Sequence, residues 1–391
     1  MDPVKELVES HKKTFPGAVS TRVFSCPGRI NLIGEHIDYN GGHVLPASID
    51  KAIYLCITKN NDRLFRFHST AFSGVVDVPL DTLFTQELHH GDWWIYTAGV
   101  VRLMFEKGWP ADHGFDLTFL STIPVGSGMS SSAAMCEVCI YAFMQEFGIA
   151  MTKQEMVLLG QRIEREAAGV KCGIMDQFAV VHGKKDHAVL LDTRDMSYSY
   201  VPVDSHKAHW ILVNSGVKHS LRESGYNDRR HQCENALAIM KSKGIKGEHL
   251  CDISMNDFER VKQDLPEAER KRAFHAISEN IRTLEFDACM KKNDYAAAGR
   301  LLYGSHESLR DNFEVSISEI DQMVEWARGI KGVIGARLMG GGFGGCTINM
   351  VEVGCTEEFK KIMTAQFEKA FGRTPEIYEC VVEDGVKEEK I

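Results

Sequence analysis

Pro124-Val125-Gly126-Ser127-Gly128-Met129-Ser130-Ser131-Ser132-Ala133-Ala134 stands between two stretches of opposite periodicity. Upstream, Phe115-Asp116-Leu117-Thr118-Phe119-Leu120 alternates with period two, which predicts a strand. Downstream, Met135 to Phe147 carries apolar residues at helical spacing. A glycine loop that leaves a strand and opens a helix is suited to phosphate. Glycines let the backbone approach an anion closely. The free N–H groups and dipole of the helix N-terminus favour its negative charge. Serine hydroxyls can bond phosphate oxygens or ligate Mg²⁺. A plain N-cap asks for a single serine, and a Gly-x-Gly ahead of three goes beyond that need.

A second segment lies nearer the N-terminus: Pro27-Gly28-Arg29-Ile30-Asn31-Leu32-Ile33-Gly34-Glu35-His36-Ile37-Asp38-Tyr39-Asn40. It gathers Arg, Asn, Glu, His, Asp and Tyr in one short stretch. A sugar presents hydroxyls in several directions, and each needs a donor or acceptor at a fixed place. The third segment is Met339-Gly340-Gly341-Gly342-Phe343-Gly344-Gly345-Cys346. It satisfies G-x-G-x-x-G, but a β-branched strand follows where a dinucleotide fingerprint would open a helix. It reads either as a tight strand-to-strand turn or as backbone closing over a ligand. A sugar segment with two glycine loops points to a sugar and a nucleotide. No Walker G-x-x-x-x-G-K-[ST] and no H-R-D or D-F-G occurs, which excludes a P-loop NTPase and a protein kinase.

The acid–base residues are less sharply marked. Lys171-Cys172-Gly173-Ile174-Met175-Asp176-Gln177-Phe178 puts an acid after a glycine turn, and Gln161-Arg162-Ile163-Glu164-Arg165-Glu166 lies upstream. Phosphoryl transfer to a hydroxyl calls for a carboxylate, a metal ligand and a cation. Asp176, Glu164 and Arg29 fit these roles, with Asp38 and Glu35 competing for the base.

The chain has 391 residues, above the size at which one core usually splits, so two domains are expected. Strands also read at Ile53–Thr58, Ala188–Asp192, His209–Val213, Val333–Leu338, Cys346–Val351 and Glu376–Val382. Helices read at Met156–Ala167, through most of Arg229–Trp326, and at Glu357–Phe371. The interleaving gives an α+β or α/β class, with a boundary near 203–208 and domains over 1–205 and 206–391. A net charge of −9 and a pI near 6.0 favour neither nucleic acid nor an anionic membrane. No apolar run reaches membrane-spanning length, and the charged N-terminus is unlike a signal peptide. Eleven scattered cysteines suggest reduced thiols in the cytoplasm rather than a disulfide framework. The lone Cys136-x-x-Cys139 reads as two small buried residues on a helix ahead of a redox pair.

Taken in order, these segments resemble the GHMP small-molecule kinases, and within them the galactokinase family. Residues 27–40 are similar to the family's G-R-x-N-L-I-G-E-H-x-D-Y-N signature, and 124–134 to its P-x-G-x-G-[LM]-S-S-S-A loop. Cys172–Gln177 resembles the C-G-I-M-D-Q catalytic segment and 339–346 the third family motif. The resemblance implies an α+β, two-lobed fold, with a ribosomal-protein-S5-like N-terminal lobe and a ferredoxin-like C-terminal lobe around a cleft. It implies ATP-dependent phosphorylation of galactose at the C1 hydroxyl. By motif position, Asp176 would be the base and Arg29 its partner. Glu35, His36, Asp38, Gly173 and Tyr226 would line the sugar. Gly126, Ser127, Gly128, Met129, Ser130, Ser131 and Ser132 would cradle phosphates, with Trp93 of the W-x-x-Y-x-x-G stretch bordering adenine. Ser132 and Glu164 would hold Mg²⁺. Partners would be the small-molecule substrates galactose and ATP, with no obligate protein partner. Ile37 departs from the usual threonine, which bears on packing beneath the sugar, and Met129 stands for the commoner leucine. Two alternatives are another sugar 1-kinase of the family, for N-acetylgalactosamine or a uronic acid, and a non-catalytic galactose sensor. Known sensors of that kind lack residues after the serine run, whereas Ser132-Ala133-Ala134 and Asp176 are present here.

Overall fold

The computed structural model describes residues 2–83, 93–108, 113–167, 172–217 and 222–391. The chain opens with helix α1 (Pro3–Thr14) and strands β1 (Arg22–Asn31), β2 (His43–Val44), β3 (Pro46–Asn60), β4 (Leu64–Ser69) and β5 (Val75–Pro79). Helices α2 (Leu80–Leu83) and α3 (Ile95–Glu106), strand β6 (Gly114–Ser121), and helices α4 (Ser131–Phe147), α5 (Lys153–Ala167) and α6 (Met175–His182) follow. Strands β7 (His187–Asp192), β8 (Tyr198–Pro202) and β9 (Ala208–Asn214) lead into a helical stretch. It comprises α7 (Arg222–Ser242), α8 (Met255–Val261), α9 (Glu267–Lys291), α10 (Tyr295–Ser308), a π-helical turn at Leu309–Phe313, and α11 (Ser318–Gly329). Strands β10 (Val333–Met339) and β11 (Cys346–Glu352), helix α12 (Thr356–Phe371) and strands β12 (Glu376–Cys380) and β13 (Lys387–Glu389) complete the chain.

The expected α+β class holds. The N-terminal sheet runs β13-β1-β3-β6-β4-β5, and the C-terminal sheet β10-β11-β9-β12 is antiparallel throughout. A small sheet, β2-β7-β8, takes its first strand from between β1 and β3 and its other two from between β6 and β9, and α9 packs on it. The end of the chain departs from a division at 205/206. Strand β13 pairs with β1 (Val23 opposite Glu389), so the last residues complete the N-terminal sheet. The Val386 and Gly385 amides bond the Val180 and Gly183 carbonyls, which ties that return to the end of α6.

The alternation in β6 predicts one wet face, yet Gly114 to Leu120 is buried on both. Phe115, Leu117 and Phe119 enter the main core. Leu120 meets Leu7 and Val8 of α1, and Thr118 bonds His11. The amphipathic N-terminal helix is what covers the second face. It is fixed at its start by Pro3 and by the Asp2 carboxylate, which accepts from the Val4 amide.

Candidate active site

The sugar segment and the phosphate loop are joined along their backbones. Strand β1 bulges between Pro27 and Arg29. The Arg29 amide donates to the Met129 carbonyl at 3.1 Å. A Cβ on Gly28 would lie 2.6 Å from that same oxygen, so only glycine permits the approach. The Arg29 guanidinium also reaches the Gly128 carbonyl at 2.5 Å. The outer end of β1 thus carries both the sugar segment and the floor of the loop.

Asp176 sits in the first turn of α6, where the helix dipole favours a carboxylate. One of its oxygens, Oδ1, is shared by two nitrogens of the buried Arg29, at 2.8 and 3.0 Å. The other, Oδ2, accepts from the Ser130 hydroxyl at 2.5 Å. Ser130 holds the left-handed backbone that starts α4 and makes no side-chain cap bond. Its hydroxyl is therefore turned to Asp176 and away from the helix. The carboxylate remains partly open, at 29% side-chain exposure.

Around it stand the residues expected to line the sugar. The Asp38 carboxylate presses on Gly173, where a Cβ would be 1.8 Å from Oδ2. Burial, and then the charges of Asp176 and Glu35, push its pKa up to about 7. Half-buried Tyr226 meets the rings of His36 and Tyr39 at 5.4 and 5.5 Å. Glu35 accepts at Oε1 from Arg337 at 3.1 Å and from the Gly340 amide at 2.8 Å. His36 is sealed: Nδ1 pairs with the Tyr39 hydroxyl at 2.8 Å and the ring packs 4.6 Å from Phe313. Burial lowers its pKa to about 3, so the ring is neutral. Ile37 is fully buried and packs on Gly42, pointing into the core.

Glu164 is buried on α5, with Oε2 accepting from Gln177 at 2.8 Å and Oε1 left without a partner. Burial raises its pKa to about 7, the Ser132 hydroxyl beside it works the other way, and Asp176 adds repulsion. An unsatisfied carboxylate oxygen next to a hydroxyl fits Mg²⁺, which takes one or two carboxylates and otherwise phosphate and water oxygens. The serines otherwise divide. The Ser127 hydroxyl closes its own loop on the Pro124 carbonyl, Ser130 serves Asp176, and Ser131 is exposed at the first turn. Gly126 and Gly128 hold φ of +75° and +72°, and Met129 is buried beneath them. Trp93 stacks on Phe72 at 6.0 Å and meets the edge of Phe119 at 5.6 Å.

The third glycine segment is a strand-to-strand turn between β10 and β11, and it serves the sugar segment more than the phosphate loop. Its Gly340 amide holds Glu35, while Cys346 Sγ donates to the Ser127 carbonyl at 3.1 Å. Reading the sequence missed Arg337, which is fully buried and also bonds the Asn31 and Leu32 carbonyls. An arginine inside an apolar strand next to a glycine run is the one mark it leaves. Gln177 was visible only as a neighbour of Asp176. The eleven cysteines are free, and Cys136 and Cys139 are buried on α4 as small core residues.

Three family models match the chain: the galactokinase galactose-binding signature over residues 9–59, the GHMP kinases N-terminal domain over 96–184, and the GHMP kinases C-terminal domain over 286–353. A galactokinase of Fusobacterium nucleatum is 37% identical, with 98% of each chain covered. A galactokinase of Thermotoga maritima is 39% identical, covering 92% of this chain and 98% of its own. Among solved structures, the Lactococcus lactis galactokinase complexed with galactose superposes with a TM-score of 0.93 at 33% identity, covering 98% of this chain and 99% of that one. The Methanococcus jannaschii mevalonate kinase shares the fold, with a TM-score of 0.66 at 18% identity over 95% of this chain and 100% of that one.

Proposed function

The chain belongs to the galactokinase family of the GHMP kinases, and from that premise we propose that it transfers the γ-phosphoryl group of ATP to the C1 hydroxyl of D-galactose. The observation that carries the mechanism is the doubly held Asp176, fixed by Arg29 on one oxygen and Ser130 on the other, where sugar segment and phosphate loop meet. Its open edge takes the C1 hydroxyl proton as the sugar oxygen attacks phosphorus and the bond to the leaving ADP oxygen breaks. Arg29, bound to both Asp176 and the loop carbonyl, keeps base and phosphate floor in register. The uncapped first turn of α4 supplies backbone N–H groups to the phosphates. Glu164 Oε1 and the Ser132 hydroxyl would hold Mg²⁺, which when bound offsets charge on the phosphate oxygens. Glu35, Asp38, Gly173 and Tyr226 receive the sugar, with the neutral His36 ring as packing behind Tyr226. Trp93 is assigned to the adenine side. The free thiols suit a reducing cytoplasm, and among the described residues no helix is long and apolar enough to cross a membrane.

The test is ADP release with Mg·ATP over a panel of hexoses, with phosphorus NMR locating the ester. Galactose is expected to turn over at C1. Glucose is expected to lag roughly 10–100-fold, since an epimer that leaves a buried polar group unpaired costs about 1–3 kcal/mol. Asp176→Asn should lose about 10²–10⁴ in kcat with galactose binding retained. Equal rates for the two sugars refute the sugar assignment, and a near-normal Asp176→Asn rate removes Asp176 from the base role.

A further inference from the structure

The sugar segment is held from the C-terminal lobe by one face of α9. His275, Glu279, Asn280 and Thr283 recur at helical spacing on that face. His275, Glu279 and Asn280 each hydrogen-bond the backbone of residues 34–43, while the Thr283 hydroxyl donates to the Glu279 carbonyl within the helix. His275 Nε2 donates to the Glu35 carbonyl at 3.1 Å, and its Nδ1 accepts from Ser308 at 2.9 Å. The Asn280 side-chain oxygen accepts from the His43 amide at 2.8 Å. Glu279 is fully buried, and its Oε1 accepts from the Gly34 amide at 3.2 Å and the Ser305 hydroxyl at 2.6 Å. Its Oε2 accepts from Arg282 at 2.8 Å. The ring of Phe313, in the π-helical turn, is packed 4.6 Å from both His275 and His36.

Gly34 is the pivot of this arrangement. Its φ is +97°, a backbone state that side chains oppose. A Cβ there would lie 2.9 Å from the His43 carbonyl and 3.2 Å from Thr283 Oγ1. The turn leads directly into Glu35 and, three residues on, Asp38, and its amide has Glu279 as acceptor. A buried carboxylate is a costly way to hold a turn, since an apolar residue of similar volume is often as stable. Fixing a left-handed amide at one position is something an apolar side chain cannot do. Among the described residues, the side-chain hydrogen-bond partners of Glu279 are Gly34, Ser305 and Arg282, none of them in the phosphate loop.

We infer that Glu279 is a positioning residue for sugar recognition: its carboxylate fixes the Gly34 turn, and through it the reach of Glu35 and Asp38 into the sugar site. The inference rests on the reading that Glu35 and Asp38 line galactose. It separates the two substrates, because sugar affinity depends on α9 and nucleotide affinity does not.

The experiment measures KM for both substrates in Glu279→Leu, Glu279→Gln and Ser305→Ala, with deuterium exchange on peptides covering 32–43 and 124–134. Glu279→Leu is expected to raise galactose KM about tenfold or more, because misplacement of about 1 Å in a positioned group costs up to 10²-fold. ATP KM should stay within about twofold, and exchange should rise in 32–43 only. Glu279→Gln keeps an oxygen for the Gly34 amide, so it should restore galactose KM to within about threefold of wild type. If Glu279→Leu yields no folded protein, Ser305→Ala decides: it frees one partner of the same oxygen and should raise galactose KM about threefold with ATP KM flat. A purely structural role would lower Tm and leave both KM values unchanged. Galactose KM within about twofold of wild type in the folded Leu and Ala variants, or parallel rises for both substrates, overturns the inference. Wild-type protein that releases no ADP with galactose would instead overturn the galactose reading.

Discussion

Replacing Gly173 by alanine probes the sugar wall with one methyl group. The backbone there is not left-handed, so the change adds no strain of its own. The new Cβ would lie 1.8 Å from Asp38 Oδ2 and 2.3 Å from Cγ. Real Cβ contacts are essentially never under 3.0 Å, so the carboxylate must retreat by at least 1.2 Å. That displacement exceeds the tolerance of a directed hydrogen bond. A lost hydrogen bond to a charged group is worth about 1.5–3 kcal/mol, or roughly 10–150-fold in affinity. Calorimetry should therefore show galactose Kd in Gly173→Ala raised about 10–100-fold with ATP binding unchanged. The cause is checked by a double-mutant cycle. In an Asp38→Ala background the three atoms nearest the added methyl are gone, so the second change should add less than about twofold. Galactose Kd within about twofold of wild type, or full additivity with Asp38→Ala, refutes the wedge mechanism.

Other expectations bear on the remaining parts of the site. Ser130→Gly keeps the left-handed start of α4 and removes the hydroxyl on Asp176, so kcat should fall about tenfold with Tm nearly unchanged, measured by single turnover and a thermal melt. Glu164→Gln removes the anionic oxygen offered to Mg²⁺, and the Mg²⁺ concentration for half-maximal rate should rise at least about tenfold while galactose binding without ATP stays normal. His11 is buried between Thr118 and Thr58, and burial lowers its pKa from 6.5 to about 4. The unfolded chain binds its proton first on acidification, so the stability it gives is complete above pH 6.5 and is lost as pH falls towards 4. His11→Gln should flatten the denaturant-derived stability slope over that range by about 1.4 kcal/mol per pH unit, the value for one proton.

The parts legible in the sequence are those in which the chemistry and the chain run together. The phosphate loop is read from Gly126 to Ser132 because strand, loop and helix are consecutive. The helix-opening Asp176 is read from Cys172 to Gln177 for the same reason. Their partnership was open in the sequence, since Arg29 lies 147 residues from Asp176 and either Asp38 or Glu35 had an equal claim as base. The structure separates the three acids by what holds them. Arg29 and Ser130 hold Asp176, Arg337 and Gly340 hold Glu35, and Asp38 has the wall at Gly173.

What the sequence hides is the set of contacts that cross between lobes, and the physical reason lies in the residue types. Arg337, Glu279 and His275 are buried polar residues on elements whose surroundings are apolar, and a helical or strand pattern treats each as one solvated position. Their partners are backbone groups of the sugar segment, and a backbone amide or carbonyl leaves no signature in the sequence. The same holds for β13, where three exposed-looking residues, Lys387 to Glu389, become a strand because β1 presents an open edge to them. The sugar segment is therefore a part of the N-terminal lobe by sequence and is held by the C-terminal lobe in space. Its residues carry the proposed sugar chemistry, and Arg337, Glu279 and His275 hold its backbone. A substitution far from the cleft, on the buried face of α9 or in β10, should alter sugar affinity before it alters the phosphate loop.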